Sequence, residues 1–580
     1  MENQTATTAK RPSGKKSSGR GLPIFIAILV VLTLTVAGVI FLVNKYSPSK
    51  ETADLTEYYF SEAAEDTGNA ATFVDHELST HPSIVSDGGV YINLDLVKDL
   101  LNDRFYWEAS SELLIYTTPT DVIKVTAGET RYYISNSLQE SDLVLVKTEG
   151  ENVYVQADFL QQYTTFDYAV YTTDDISRVM ITSASSDETR AKIKKTTAIR
   201  TYDSIKAPIV SQAEKGTEVT VLTVGDKFTE VITEDGTFGY VKNNALSASY
   251  TATAVVENIC EEPVYTSLTR DHTIRMCWNM ITTRDANDNI SALLSDTEGI
   301  NVLAPTWFYL DSNSGDVASL ASADYVTYAH ENGIEVWALV SNLTNTDVDT
   351  TTVLTNTTSR EHLESQLLAY AIEYKLDGIN VDFESLSIDA GEGFIEFIRE
   401  LSILCRKNGL VLSVDNYPPE SYNTFYNRTE QAIVADYVIL MGYDEHYSGS
   451  DAGSVASLPW VEEGVINTLS EVPADKLILG IPFYTRLWTT ADGTVSSTAM
   501  GMQAAADVLD ENDATVTWNE TLGQNYAYYT DDDGMHEMWQ ENGDSIKLKA
   551  DLITQYDLAG FSAWRLGFET ADIWDILSQY

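Results

Sequence analysis

Short apolar runs recur from about residue 263 to the end of the chain: IRMCW (274–278), INVLAP (300–305), EVWALV (335–340), LDGINVDFE (376–384), GLVLSVD (409–415), YVILMGY (437–443), KLILGIP (476–482) and GFSAW (560–564). Between them lie stretches such as HLESQLLAYAIEYK and EGFIEFIRELSILCRKN, whose apolar residues recur every three or four positions, as on one face of a helix. Eight strand–helix repeats over residues 263–580 predict an α/β fold, a (β/α)8 barrel, which takes about 250 residues and tolerates insertions.

Upstream the rhythm is shorter. Residues 71–185 hold alternating runs, GVYINLDLVKDLL, FYWEASSELLIYTT and NVYVQADFLQQY, separated by Gly, Asp and Asn, and predict a small α+β domain rich in strands. In residues 190–248 four or five Val/Ile/Thr runs are punctuated by Lys215-Gly216, Gly225-Asp226 and Asp235-Gly236, as a small closed β-barrel requires. Residues 44–70 are rich in Ser, Thr, Glu and Ala and read as a solvated stalk. Before them, Leu22–Val43 is a run of 22 residues without a charge, against about 20 needed to cross a bilayer core. A signal peptide would have a core of roughly 7–15 residues and a small-residue cleavage site, so an uncleaved transmembrane helix is expected. Lys10, Arg11, Lys15, Lys16 and Arg20 put the basic tail, residues 1–21, in the cytoplasm and everything after Asn44 outside the cell membrane.

A chain of 580 residues has room for several domains. Its 87 acidic and 36 basic residues leave a net charge of −51, which argues against nucleic acid or anionic lipid as partner of the bulk of the chain and is expected of a solvated surface. Three cysteines, Cys260, Cys277 and Cys405, exclude a disulfide scaffold and supply no CxxC spacing; outside the cell at least one thiol is unpaired or intermolecular. The seven histidines fall at no metal-ligand spacing, so neither a metal nor a cofactor is expected.

The fourth apolar run carries the candidate chemistry. Ile379, Val381 and Phe383 alternate with Asn380, Asp382 and Glu384, so a strand here turns an amide and two carboxylates to one face, the barrel axis, with Glu384 at the C-terminal mouth. A helix-capping role explains Glu384 alone but not the ladder, because neighbouring buried carboxylates are costly. In a desolvated barrel beside a second carboxylate, a carboxyl has its pKa raised toward that of a general acid working near neutrality.

The segment Leu376–Glu384 resembles the DGxDxDxE signature of family 18 glycoside hydrolases, the chitinase family. Three further segments resemble that family in its order: LMGYD (440–444), LGIPFYTR (479–486) and GFSAWRLG (560–567). The resemblance implies retaining hydrolysis in which the substrate's own 2-acetamido group is the nucleophile, an exception to the scheme of two protein carboxylates. It implies that Glu384 is acid and then base, that Asp382 orients the acetamide and that Tyr443 hydrogen-bonds the acetamide oxygen. Trp564 would floor the sugar site, and Met441, Asp444, Tyr484 and Arg486 would line the cleft. Trp307, with Phe308 and Tyr309, would stack on sugars or cover the barrel rim. Asn380 stands where many chitinases carry aspartate, which implies that Asp382 lacks a proton-sharing carboxylate; Thr485 stands where the family has glycine.

The stretch YDEHYSGSDAGSVASLPWVEEGV (443–465) is more similar to family members of Gram-positive bacteria that cleave cortex or wall peptidoglycan than to secreted chitinases. Residues 190–248 resemble the bacterial SH3 domain, with KGTEVTVL and DGTFGYV the matching segments, which implies wall attachment or a spacer. Residues 71–185 resemble the domain named after the N-terminal region of copper amine oxidases, with no copper implied, because His76 and His81 alone make no site. The expected partner is a carbohydrate polymer, peptidoglycan first and chitin oligosaccharides second. A non-catalytic lectin and a wall-tethering protein are the readings from other classes; neither explains an intact acid constellation.

Overall fold

A computed structural model describes residues 21–60, 68–173 and 175–580. The basic tail through residue 20 and residues 61–67 of the expected stalk lie outside the described residues. The chain divides into two compact units: the residues up to Leu96 together with Glu149–Cys260, and Val97–Thr148 together with Glu261–Tyr580.

In the first unit a helix over Gly21–Tyr46 is long and apolar enough to cross a membrane, and its large apolar side chains from Ile24 onward are exposed. The stalk expectation fails for the described part of residues 44–70. The amides of Ser49 and Ala53 donate to the carbonyls of Ile205 and Ile209, each at 2.8 Å. A short helix, Leu55–Phe60, buries Tyr59 against Ala71, Phe73 and Ile232. The reason is local: LTEYYF places Leu55, Tyr58 and Tyr59 on one helical face, a period that the surrounding polar composition masks. The Val/Ile/Thr runs of residues 190–248 form the strands Thr197–Arg200, Ile209–Ala213, Glu218–Val224, Phe228–Thr233 and Phe238–Lys242. With flanking strands Ser186–Lys192 and Tyr250–Ala254 they make one seven-stranded antiparallel sheet.

The second unit contains the barrel. Its strands are β1 (Ile274–Asn279), β2 (Val302–Leu310), β3 (Glu335–Ser341), β4 (Gly378–Asp382), β5 (Val411–Asn416), β6 (Tyr437–Met441), β7 (Leu477–Pro482) and β8 (Gly560–Trp564). They pair in parallel and in order, and β8 bonds both β7 and β1, which closes the sheet. All eight apolar runs are thus barrel strands. Their side chains separate by period two. Ile379, Val381 and Phe383 join the layer under the helices, whereas Met276, Trp278, Ala304, Leu339, Ile439 and Ile478 fill the interior.

Residues 97–148 belong to this unit, so the expected domain over 71–185 does not stand alone. They form a five-stranded antiparallel meander against two outer helices, α1 (Thr357–Tyr374) and α2 (Gly391–Asn408). The Glu108 carboxylate accepts the Thr357 amide at 2.6 Å, Arg104 pairs with Glu430 at 2.9 Å, and Lys407 Nζ donates to the Thr120 carbonyl at 2.8 Å. A barrel helix ordinarily leaves its outer face in water. Here Glu396, Arg399 and Glu400 of α2 are buried as well, because the meander covers them. Between β7 and β8, residues 484–540 add a second five-stranded antiparallel sheet and the helix α3 (Met502–Glu511) at the C-terminal mouth.

Candidate active site

The polar ladder of β4 faces the barrel axis. Asn380 is fully buried: its Oδ1 accepts Trp278 Nε1 at 3.0 Å, and its Nδ2 donates to Ser413 Oγ at 3.0 Å and Asp415 Oδ1 at 2.8 Å. Asp382 ends the strand, partly exposed to the cleft, with its Oδ1 buried and without a hydrogen-bond partner. Glu384 lies where the backbone leaves the sheet. Asn342 holds that backbone from both sides, accepting the Glu384 amide at 2.8 Å and donating to its carbonyl at 2.9 Å. The Tyr417 hydroxyl donates to Glu384 Oε2 at 2.6 Å.

Electrostatics derive from this placement. Burial pushes the Glu384 carboxyl above the usual glutamate range; the Tyr417 hydrogen bond works against the shift and the Asp444 charge adds to it. Asp382 is held well above the usual aspartate range by burial first, then by the charges of Asp415 and Glu384. Burial also raises Asp415, partly offset by the Asn380 hydrogen bond. Contrary to the expectation from Asn380, Asp382 does have a carboxylate neighbour, supplied by the adjacent strand.

Of the other sequence-predicted residues, Tyr443, Asp444, Tyr484 and Trp564 gather around these acids. Tyr443 lies just past β6 and meets Trp278 edge-on at 6.3 Å, and Trp278 in turn lies 6.0 Å from Trp564 at the end of β8. Tyr484 packs against Tyr443 at 6.2 Å and donates its hydroxyl to Asp444. The close approach of β6 and β7 behind Tyr443 needs glycine, since a Cβ on Gly442 would lie 2.6 Å from the Gly480 carbonyl oxygen. Met441 is buried beneath the site, and Arg486, on the first inserted strand, donates to Ser497 at 3.1 Å. Thr485 is accommodated in that strand, its hydroxyl donating to the Trp539 carbonyl at 2.5 Å.

Trp307 is not part of this group. It is fully buried among the outer helices, donates Nε1 to Asn287 at 2.8 Å and meets Tyr325 edge-on at 5.0 Å, so it is neither a sugar platform nor a rim residue. Trp307 shares the outward parity of Leu303, and a register shift in β2 between Thr306 and Phe308 turns Phe308 outward as well, which strict alternation does not anticipate. Asp415, Tyr417, Asn342 and Trp278 escaped the sequence reading. A signal for two of them was present: Ser413, Asp415 and Tyr417 alternate with Leu412 and Val414 as the β4 ladder does.

A carboxyl whose pKa is raised at a desolvated mouth, oriented by a phenol and near an aromatic side chain, is equipped to protonate a leaving oxygen and then, as carboxylate, to activate water. Among the described residues no group of His, Cys, Asp and Glu has metal-holding geometry.

Comparison with known proteins agrees with this chemistry. Residues 287–569 match the profile described as Glycosyl hydrolases family 18. Over 288 residues the chain is 28% identical to the uncharacterized glycosylase YvbX of Bacillus subtilis, covering 47% of this chain and 83% of that one. It is 32% identical over 237 residues to the cortical fragment-lytic enzyme of the same organism, covering 39% of this chain and 54% of the relative's length. A more distant relative is the di-N-acetylchitobiase of Rattus norvegicus, 26% identical over 274 residues, or 42% of this chain and 72% of that one. The match to the family 18 profile thus lies within the barrel, and together with relatives described as a glycosylase and a cortical fragment-lytic enzyme it makes the chain a glycoside hydrolase.

Proposed function

We propose that the chain is a membrane-anchored, extracellular enzyme that cleaves β-linked N-acetylglucosamine glycans, peptidoglycan first, by retaining, substrate-assisted hydrolysis. The observation that carries the reading is Glu384, raised above the usual carboxyl range and held by Tyr417, two residues beyond Asp382 on one face of the barrel mouth. In this reading Glu384 protonates the glycosidic oxygen. The substrate's acetamide oxygen attacks the anomeric carbon, with Asp382 accepting the acetamide N–H and Tyr443 donating to its oxygen. Glu384, now a carboxylate, takes a proton from the water that opens the oxazolinium ring. Trp564 floors the ring; Tyr484, Arg486 and Asp444 contact neighbouring sugars.

Similarity to a cortical fragment-lytic enzyme supports peptidoglycan as the polymer, and similarity to a di-N-acetylchitobiase supports chitin oligosaccharides as the alternative. The helix Gly21–Tyr46 is the proposed anchor, with the N-terminus cytoplasmic and the barrel outside. Residues 190–248 are the proposed SH3-like wall contact. The test incubates the detergent-solubilised full chain, wild type and Glu384→Gln, with purified peptidoglycan and separately with N-acetylglucosamine oligomers, and reads products by mass spectrometry. Fragments with a reducing N-acetylglucosamine end, absent with the variant, support the reading and choose the polymer. Equal binding without cleavage by either protein replaces it with a lectin.

A further inference from the structure

We propose that Asp415 is the positioning partner of Asp382: the two carboxyls stand side by side on β5 and β4 and carry one proton between them.

The placement comes from strand register. β4 and β5 run parallel, with Asn380 opposite Ser413 and Val381 opposite Val414. The next step along both strands sets Asp382 beside Asp415, turned to the same side, on strands roughly 4.8 Å apart. Asp415 is 2% exposed, and the Asp382 Oδ1 is buried without a partner. The groups facing the pair are Glu384 from the end of β4, Tyr443 from beyond β6, Trp278 from β1, and Asn380 within β4. Among the described residues no cation pairs with Asp382, Asp415 or Glu384. Two carboxylates this close, buried and uncompensated, do not both ionise.

Asn380 gives the pair its asymmetry. Its Nδ2 donates to Asp415 Oδ1 while its Oδ1 accepts from Trp278, a double role that only an amide fills without adding charge. At rest the hydrogen bond favours a carboxylate at Asp415 and leaves the proton on Asp382. When a substrate N–H reaches Asp382, the O–H bond on Asp382 breaks and one forms on Asp415. The pair keeps a charge of −1 and no proton enters from solvent. Asp382 thereby becomes the anion that the acetamide needs without an extra buried charge.

The inference rests on the hydrolase reading for its kinetic arm alone, so the test has two arms on the full chain. Infrared difference spectra at neutral pH count protonated carboxyls in wild type, Asp382→Asn, Asp415→Asn and the double variant. The expected result is that each single variant loses one protonated-carboxyl band and the double variant loses no more. Loss in neither single variant, or twofold loss in the double, overturns the shared proton. If Asp415→Asn does not fold, Asn380→Asp/Asp415→Asn, which moves the carboxylate one strand over, replaces it, and its band must be lost on adding Asp382→Asn. In the kinetic arm Asp415→Asn lowers kcat at least about tenfold with KM little changed, equal to one pKa unit or more of mismatch at Asp382. Asn380→Asp/Asp415→Asn restores most of the rate. A shared band without that rescue overturns the positioning role, whereas a wild type that cleaves neither glycan refutes the hydrolase reading and leaves the infrared result to decide the pair.

Discussion

Tyr417→Phe isolates the tuning of the acid, because it removes one hydroxyl and leaves the ring in place. That hydroxyl donates to Glu384 Oε2 at 2.6 Å, and burial raises the Tyr417 phenol so that it stays a donor throughout the working range. A hydrogen bond to an ionised carboxylate contributes about 1.5–3 kcal/mol. At about 1.4 kcal/mol per unit, losing it moves the Glu384 pKa up by roughly one to two units from a value already raised. Protonation of the leaving group needs Glu384 protonated, so the alkaline limb of kcat/KM reports its pKa in the free enzyme. That limb moves to higher pH by about the same amount in the variant. Stability gives an independent reading with its own sign. A carboxyl whose folded pKa is raised contributes stability that is full below its unfolded value and is lost as pH rises through the folded value. The variant deepens that loss, so its Tm matches wild type near pH 4 and falls below it as Glu384 ionises. The assay is a pH series of initial rates on the glycan that the wild type cleaves, with thermal melts in the same buffers. An alkaline limb that stays in place or moves down, with a pH-independent Tm difference, refutes the assignment of Tyr417 as the partner of the ionised acid.

Three further outcomes are expected. Glu384→Gln abolishes turnover yet gains stability over wild type in denaturant titrations by an amount that grows as pH rises above the ordinary glutamate range, by about 1.4 kcal/mol for each unit by which the folded pKa exceeds the unfolded one; a pH-independent difference counts against burial as the cause. Trp307→Ala costs about 3–5 kcal/mol in denaturant titrations, as expected of a buried Trp, with KM unchanged in the folded fraction, whereas Trp564→Ala raises KM with a smaller loss of stability. Lys549→Met strands the buried Glu541 carboxylate, which Lys549 contacts at 2.9 and 3.0 Å, and costs about 3–5 kcal/mol at neutral pH by chemical denaturation; a neutral effect there shows that the pair is not sealed from water.

Eight short apolar runs alternating with helical stretches were enough to predict the barrel, because a strand buried under helices on one side and barrel interior on the other is apolar along its length. Alternation within the fourth run also picked out the candidate acid, since Asn380, Asp382 and Glu384 share one face in any straight strand beginning near Gly378. Lateral neighbourhood is absent from the linear pattern. Asp415 meets Asn380 only because β5 pairs with β4 in a particular register, and Tyr417 reaches Glu384 only because both lie beyond the strand ends. The register shift in β2 sent Phe308 outward beside Trp307 for the same reason: one irregular step changes the face of each later residue in the strand, and only pairing with β3 reveals it. Composition misled where a short amphipathic helix hid in a polar stretch, so that residues read as a stalk bury Tyr59. The sequence by itself determined which residues alternate and therefore which kinds of surface exist. The tertiary structure decided which surfaces meet, and with them the burial and the like-charge neighbours that shift the carboxyl groups, because desolvation and Coulomb interaction depend on distance in space and not along the chain.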